Sequence, residues 1–158
     1  FFGAHHCTGP CQLTCAMDPA QRTNIRIEDT RNEIDAEAKL QMLETFRIHN
    51  ERPQLIRLYT EEFSAVCPGS GLPDIGTLVV EYIPHELALE LKAWKLYLVS
   101  FRDAAIFQEP VADVLFSHLW HTLAPRYLRL QLTYNTRGGI DTTVTIEDGD
   151  VSLRPAAP

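Results

Sequence analysis

The chain has 158 residues, a formal net charge of −7 and a hydrophobic content of 45%. A chain of that length and composition can form one globular domain with its own core. The acidic balance disfavours wholesale binding to a phosphate backbone, so we expect no direct nucleic-acid partner and only local anion sites. No stretch approaches the roughly 20 consecutive apolar residues that cross a bilayer, so we expect no membrane partner either.

The N-terminal segment is rich in potential metal ligands: His5, His6, Cys7, Cys11 and Cys15. The spacing of its cysteines differs from the paired spacing of zinc ligands, so we expect no metal site. We interpret residues 1–29 as a mobile tail and residues 30–158 as a single domain with its core at 53–150. The first residues lack the basic flank and apolar run of a secretory signal, which indicates a reducing compartment, the cytoplasm.

The predicted elements begin with a helix from Thr30 to Phe46. Thr30 and Glu33 have the spacing of a capping box, and good helix formers follow. From Pro53 the pattern changes to an alternation with period two. This alternation predicts a half-buried strand through residues 56–60.

A turn-rich loop follows at residues 67–74, where two prolines and two glycines are close together. Residues 77–83 are rich in β-branched and aromatic side chains and predict a second strand, which Pro84 ends. Residues 91–102 have apolar side chains spaced by three and four, and this spacing predicts an amphipathic helix.

A second helix begins at Glu109 and is ended by Pro125. Residues 127–134 and 140–146 then alternate, and the glycines at 138–139 supply the positive φ angles of a tight hairpin. The order of strand, strand, helix, helix, strand, strand predicts an α+β fold with both helices on one face of an antiparallel sheet. The open face and edges of such a sheet predict a homo-oligomer.

Cys67 lies among turn residues in the sequence Cys-Pro-Gly-Ser-Gly-Leu-Pro-Asp, and not in an apolar run. Loops often carry function, and a thiolate is a capable nucleophile. Asp74 ends the same loop, whose rigid turns can fold the carboxyl group back toward the thiol. Cys67 is therefore a candidate nucleophile and Asp74 a candidate proton donor. The alternatives are a structural cysteine and a turn or helix-cap aspartate.

Further candidates are basic side chains that could bind an anion. Lys92 and Lys95 lie on one predicted helical face, where they form either a phosphate site or an ordinary solvated face. Arg137, just before two glycines, could add a guanidinium to the same anion, or be a turn arginine with no specific role. Glu109 could accept two donors from the N–H edge of a guanine-like ring, or simply complement the helix dipole.

Together these segments resemble the NADPH-dependent 7-cyano-7-deazaguanine reductases of the queuosine pathway, of the short single-domain type. The resemblance extends from about Leu43 to Gly139. It rests on five motifs: Cys-Pro-x-Ser-Gly-x-Pro-Asp at 67–74, Glu-Leu-Lys-Ala-Trp-Lys-Leu-Tyr at 90–97, Ser-Phe-Arg at 100–102, Phe-x-Glu at 107–109 and Arg-Gly-Gly-Ile at 137–140. One departure is Gln108, since the family usually has a histidine at this position.

The resemblance implies a tunnelling fold, in which ββααββ subunits form rings, here a decamer of two pentamers. It also implies reduction of a small deazapurine nitrile to 7-aminomethyl-7-deazaguanine with two NADPH, a step toward tRNA modification. Cys67 would form a covalent thioimide and Asp74 would supply the proton. Two further sets of residues would bind the ligands: Leu89, Glu90, Leu91, Gln108 and Glu109 the base, and Lys92, Lys95 and Arg137 the cofactor phosphates.

Two other functions are compatible with parts of this pattern. One is a relative that keeps the thioimide but adds ammonia to it, which forms an amidine on a tRNA-bound base. The other is a non-catalytic ring protein that binds a purine-like ligand. The presence of Glu90, Lys92 and Lys95 disfavours the first alternative, and the presence of both Cys67 and Asp74 disfavours the second.

Overall fold

The computed structural model describes residues 35–49 and 52–153 of the chain. The predicted capping box at Thr30 and Glu33, and the predicted mobile tail with its histidines and cysteines, lie outside these residues. Within them, no helix is both long and apolar enough to cross a membrane.

The first helix, α1, covers Ala36–Leu40 and is shorter than predicted. Asp35 has non-helical backbone angles, and its side chain accepts a hydrogen bond from a first-turn N–H at 2.9 Å, so it caps the helix. A continuous helix from Thr30 to Phe46 is therefore wrong. Thr45–Arg47 instead forms strand β1, which pairs antiparallel with strand β4 at Leu87–Leu89, and this tertiary pairing overrides helix propensity.

The main sheet has four antiparallel strands in the order β2-β3-β5-β6. Their bounds are Ile56–Val66 for β2, Pro73–Ile83 for β3, Tyr127–Arg137 for β5 and Ile140–Gly149 for β6. All four predicted strands are present, and each extends beyond its predicted bounds. In β2 a bulge between Thr60 and Phe63 shifts the inward-facing positions and so interrupts the alternation. Asp74 lies in β3 and not in the preceding loop.

Two helices connect β3 to β5. Helix α2 covers Leu91–Val99 and ends three residues before the predicted end, because the following residues form turns that bury Phe101. Helix α3 covers Gln108–Leu123 and ends where Ala124 adopts a left-handed conformation with φ of 40° before Pro125. A short 3-10 helix, Val151–Leu153, follows β6.

The core lies between the helices and one face of the main sheet. Leu78 of β3 and Leu130 of β5 face inward from the two central strands and are 1% and 0% exposed. They pack in one cluster with Leu115 and Leu119 of α3. The α+β class with antiparallel sheets is therefore confirmed. The predicted hairpin is also present, with positive φ angles of 59° and 78° at its two glycines.

The opposite face of the sheet is largely polar, and no helix within residues 35–49 and 52–153 covers it. One cross-strand row alternates in charge: Arg57, Glu81, Arg129 and Glu147 occupy matched positions on β2, β3, β5 and β6. Arg129 lies 3.3 Å from the Glu81 carboxylate and 3.8 Å from that of Glu147. The Glu81 side chain is only 13% exposed, so the arginines on either side compensate a largely buried carboxylate.

Candidate active site

Cys67 follows β2 directly and begins a tight loop. Its backbone N–H donates to the carbonyl of Leu72 at 2.9 Å, and its carbonyl accepts from the N–H of Gly71 at 2.8 Å. Gly71 has a φ of 69°, which a glycine adopts without strain. These two bonds hold the cysteine at a fixed place at the end of the strand.

The residue before Cys67 connects this loop to the start of α3. The N–H of Val66 donates to the carbonyl of Ala104 at 2.9 Å, and the N–H of Ile106 donates to the carbonyl of Val66 at 3.1 Å. The two segments run parallel at this bridge. The backbone beside Cys67 is therefore attached both to the sheet and to the segment that leads into α3.

Polar groups of its own loop surround the Cys67 sulfur. Hydrogen bonding from the Ser70 hydroxyl, and then from the backbone N–H groups of Ser70 and Gly69, lowers the pKa of the thiol, and this outweighs its burial and the nearby charge of Asp74. Cys67 is a free, partly exposed cysteine in the described chain. A lowered pKa increases the thiolate fraction, and the thiolate is the nucleophilic form. Sequence reasoning assigned no role to Ser70, although it lies within the motif.

Asp74 lies at the start of β3, directly after this loop, and it is only 6% exposed. Its Oδ1 lies 2.6 Å from Nη1 of Arg137, whose side chain is 47% exposed. The Arg137 guanidinium also lies over the ring of Tyr134, 5.0 Å from its centre. A buried carboxylate requires such a partner, so Arg137 stabilises Asp74 in its place.

Tyr134 belongs to the same group of side chains and was not identified from the sequence. Its hydroxyl is buried and has no hydrogen-bond partner among the residues that the structure describes. Burial raises the pKa of Tyr134, as do the charges of Asp74, Glu109 and Cys67, whereas Arg137 lowers it. These four ionisable side chains are therefore close enough to the phenol to affect its pKa. In the sequence, Tyr134 is only one of several alternating inward positions of β5.

The first residues of α3 lie at this end of the sheet as well. Gln108 is 4% exposed, and its Nε2 donates to the carbonyls of Leu132 at 2.9 Å and Thr142 at 3.1 Å, on β5 and β6. Its Oε1 is buried without a partner in the described part of the chain. Glu109 is exposed in the first turn. The structure thus brings Gln108 and Glu109 together with the Cys67 region.

A second group of predicted site residues lies at the start of α2. Glu90 caps this helix, since its carboxylate accepts from the N–H groups of Lys92 at 3.0 Å and Ala93 at 2.7 Å, and these bonds lower its pKa. Leu89 is buried and donates its N–H to the Tyr82 hydroxyl at 3.1 Å, whereas Leu91 is 61% exposed.

Within the described residues, the two groups lie at opposite ends of α2. The nine residues of α2 rise about 12 Å, and Glu90 lies at the opposite end of the helix from the turn that leads to the Cys67 bridge. Arg137 belongs to the first group, where its Nη1 contacts Asp74.

The lysines line two separate grooves. Lys95 borders a groove of about 430 Å³ with Trp94, Leu98, Tyr59 and Arg102. Lys92 borders another of about 290 Å³ whose lining includes two acidic side chains, Glu44 and Glu90. The Lys95 groove thus combines apolar and aromatic surface with three basic side chains and one carboxylate, that of Glu62. Residues 35–49 and 52–153 contain no group of three or more histidine, cysteine or acidic side chains arranged to hold a metal ion.

Comparison with known proteins gives a matching family and a set of named relatives. Residues 73–152 match the family described as QueF-like protein. Relatives from Chlorobium phaeobacteroides and Chloroherpeton thalassium, both named NADPH-dependent 7-cyano-7-deazaguanine reductase, are 43% and 41% identical over 96 and 108 residues. These matches cover 61% and 68% of this chain and 81% and 93% of the relatives.

A solved structure gives the same assignment. The crystal structure of the archaeosine synthase QueF-Like in the apo form superimposes with a TM-score of 0.59 at 30% identity. The match covers 64% of this chain and 99% of that one. The chain therefore belongs to the QueF-like protein family.

Proposed function

We propose that this chain reduces the nitrile of 7-cyano-7-deazaguanine to the aminomethyl group of 7-aminomethyl-7-deazaguanine with NADPH. The observation that carries the proposal is the environment of Cys67, whose loop lowers the pKa of the thiol beside a buried acid. The relatives named NADPH-dependent 7-cyano-7-deazaguanine reductase, at 43% and 41% identity, support the same reaction. A nitrile accepts hydride poorly, and addition of a thiolate converts it into a protonatable C=N group.

The first step uses Cys67 and Asp74. The thiol proton passes to the Asp74 carboxylate, and the sulfur bonds to the nitrile carbon as one C–N π bond breaks. The nitrogen then takes the proton from Asp74, which leaves a neutral thioimide on Cys67 and an ionised acid. The Arg137 contact at 2.6 Å holds the Asp74 carboxylate in place through both transfers.

The residues that would hold NADPH are Lys92 and Lys95, and of their two grooves the one at Lys95 fits this cofactor, since Glu44 and Glu90 line the other. The Lys95 groove offers aromatic and apolar surface for a flat ring together with ammonium and guanidinium groups for phosphates. We assign the cofactor phosphates to Lys92, Lys95 and Arg137. Arg137 would contact a phosphate with the guanidinium N–H groups that do not contact Asp74. NADPH, when bound, supplies the two hydrides that convert the nitrile carbon to a methylene, so two equivalents are consumed per nitrile.

We assign recognition of the base to Glu109 and Gln108 of α3, and to Leu89, Glu90 and Leu91 at the start of α2. Glu109 offers an exposed carboxylate that can accept two parallel N–H groups. Gln108 has its amide N–H groups occupied by two sheet carbonyls, so its Oε1 remains as an acceptor for a donor of the base.

We further propose that the site is completed by a second copy of the chain in a ring of the tunnelling-fold type, a decamer of two pentamers. Three observations support an assembly. The two halves of the site lie at opposite ends of α2, β2 and β6 are the edge strands of the sheet, and Leu91, Leu96 and Val99 are exposed.

We propose that residues 30–158 form the domain of the enzyme and residues 1–29 a tail. The Cys67 thiol suits a reducing compartment, the cytoplasm, where we place the reaction.

The proposal is tested by mixing the purified protein with 7-cyano-7-deazaguanine and NADPH and following the absorbance of the reduced nicotinamide. We expect two NADPH to be oxidised per nitrile. Cys67→Ala should oxidise none, whereas a variant with Cys7, Cys11 and Cys15 all changed to serine should retain turnover. NADPH oxidation in Cys67→Ala at the wild-type rate would exclude a covalent mechanism.

A second candidate is addition of ammonia to the thioimide, which the match to the archaeosine synthase structure favours. Here the same Cys67 adduct forms, but ammonia attacks the thioimide carbon and the thiolate leaves, which gives an amidine without any change in oxidation state. An ammonium-dependent amidine on a tRNA carrying 7-cyano-7-deazaguanine, formed without NADPH oxidation, would replace the reductase proposal. Ligand binding without any adduct would indicate a non-catalytic purine-binding protein.

A further inference from the structure

The Tyr134 hydroxyl is a buried polar group that the proposed mechanism does not use. Tyr134 is 2% exposed, and its oxygen has no hydrogen-bond partner within the described ranges. A buried hydroxyl without a partner costs free energy, whereas phenylalanine would fill the same space without this cost. The hydroxyl therefore requires an explanation beyond packing.

The position of the Tyr134 ring is fixed from several sides. Tyr134 pairs with Gly76 of β3, two residues beyond Asp74 and on the same face of the sheet. A Cβ atom on Gly76 would lie 2.6 Å from the ring, so only glycine leaves room for it. Phe63 stacks on the ring at 6.5 Å between centres, and the Arg137 guanidinium lies over it at 5.0 Å.

The groups around the phenol are those of the candidate active site. The charges of Asp74, Glu109 and Cys67 all raise the pKa of Tyr134, in addition to its burial, while Arg137 lowers it. The phenol therefore remains protonated at neutral pH. In this state it can donate a hydrogen bond but cannot serve as a general base.

We propose that the Tyr134 hydroxyl donates a hydrogen bond to the substrate nitrogen while the Cys67 sulfur adds to the nitrile carbon. Negative charge develops on that nitrogen before it takes the proton from Asp74, and a preorganised donor in a buried site stabilises such charge. Tyr134 keeps its own proton throughout, so the balance of the addition step is unchanged. The inference rests on the proposed function and names one more residue that contacts the substrate.

The test is Tyr134→Phe, which keeps the ring and its contacts and removes only the hydroxyl. The rate of adduct formation between the protein and 7-cyano-7-deazaguanine is measured without NADPH by rapid quenching and intact-protein mass spectrometry. We expect this rate to fall about 10²-fold, the effect of removing one donor to a developing anion. We expect little change in the dissociation constant of the substrate and no loss of thermal stability.

Tyr127→Phe is the matched control, since Tyr127 is equally buried on the same strand, but its hydroxyl donates to Glu147 at 3.1 Å at the far end of β5. Its adduct rate should equal that of the wild type. A wild-type adduct rate in Tyr134→Phe would overturn the inference and leave the proposed function intact. A loss confined to substrate affinity would also overturn it. Absence of an adduct in the wild-type protein would instead refute the proposed function itself.

Discussion

Changing Ser70 to alanine removes the hydroxyl that contributes most to the lowered pKa of the Cys67 thiol. A hydrogen bond to a charged group contributes about 1.5–3 kcal/mol, and the partial exposure of Cys67 reduces this to about 1 kcal/mol. Two backbone donors, the N–H groups of Ser70 and Gly69, remain in the variant. At a pH below the thiol pKa, the thiolate population should therefore fall about five-fold and not vanish.

The assay is the rate of alkylation by iodoacetamide as a function of pH, with the modified peptides resolved by mass spectrometry so that Cys67 is read separately. The Ser70→Ala profile should shift to higher pH. Ser64→Ala is the control, since Ser64 lies three residues before Cys67 and faces away from the buried Phe63 and Ala65. Superimposable profiles for Ser70→Ala and the wild type would refute the assigned cause of the lowered pKa.

Three further predictions concern the stability of the fold. Gly76→Ala should lower the free energy of unfolding by about 1–3 kcal/mol in urea denaturation, because its new methyl group would lie 2.6 Å from the Tyr134 ring. Arg137→Met should lower it by about 1–3 kcal/mol, because a buried carboxylate loses its partner while the arginine itself was half exposed. Burial lowers the pKa of His118, which hydrogen-bonds the Tyr97 hydroxyl at 2.9 Å, so the unfolded state binds more protons. The free energy of unfolding should therefore fall as the pH drops below about 6.5, and His118→Gln should reduce this pH dependence.

Much of the fold could be predicted because its main elements carry strong periodic patterns. Alternation identified three strands of the main sheet, β-branched and aromatic content identified the fourth, β3, and paired glycines identified the hairpin. The pairing of Thr45–Arg47 with Leu87–Leu89 could not be predicted, because strands of three residues carry too little pattern and depend on their partner. The N-terminal helix was predicted too long for the same reason, since local propensity does not reveal that Thr45 pairs with Leu89.

The candidate site could be predicted in part. The turn-rich loop indicated Cys67 and Asp74 because both belong to one short segment. The contact of Asp74 with Arg137 joins residues 63 positions apart, and only the adjacency of β3 and β5 creates it. Tyr134 could not be singled out, because strand alternation shows that a side chain faces the core but not which groups surround it there.

The central claim is that a sulfur–carbon bond forms between Cys67 and the nitrile. Its most direct test is the mass of the intact protein after incubation with 7-cyano-7-deazaguanine alone, followed by peptide mapping. We expect a gain equal to the mass of the whole ligand, located on the Cys67 peptide and missing from Cys67→Ala. An unchanged mass at ligand concentrations where calorimetry shows the site to be occupied would contradict it.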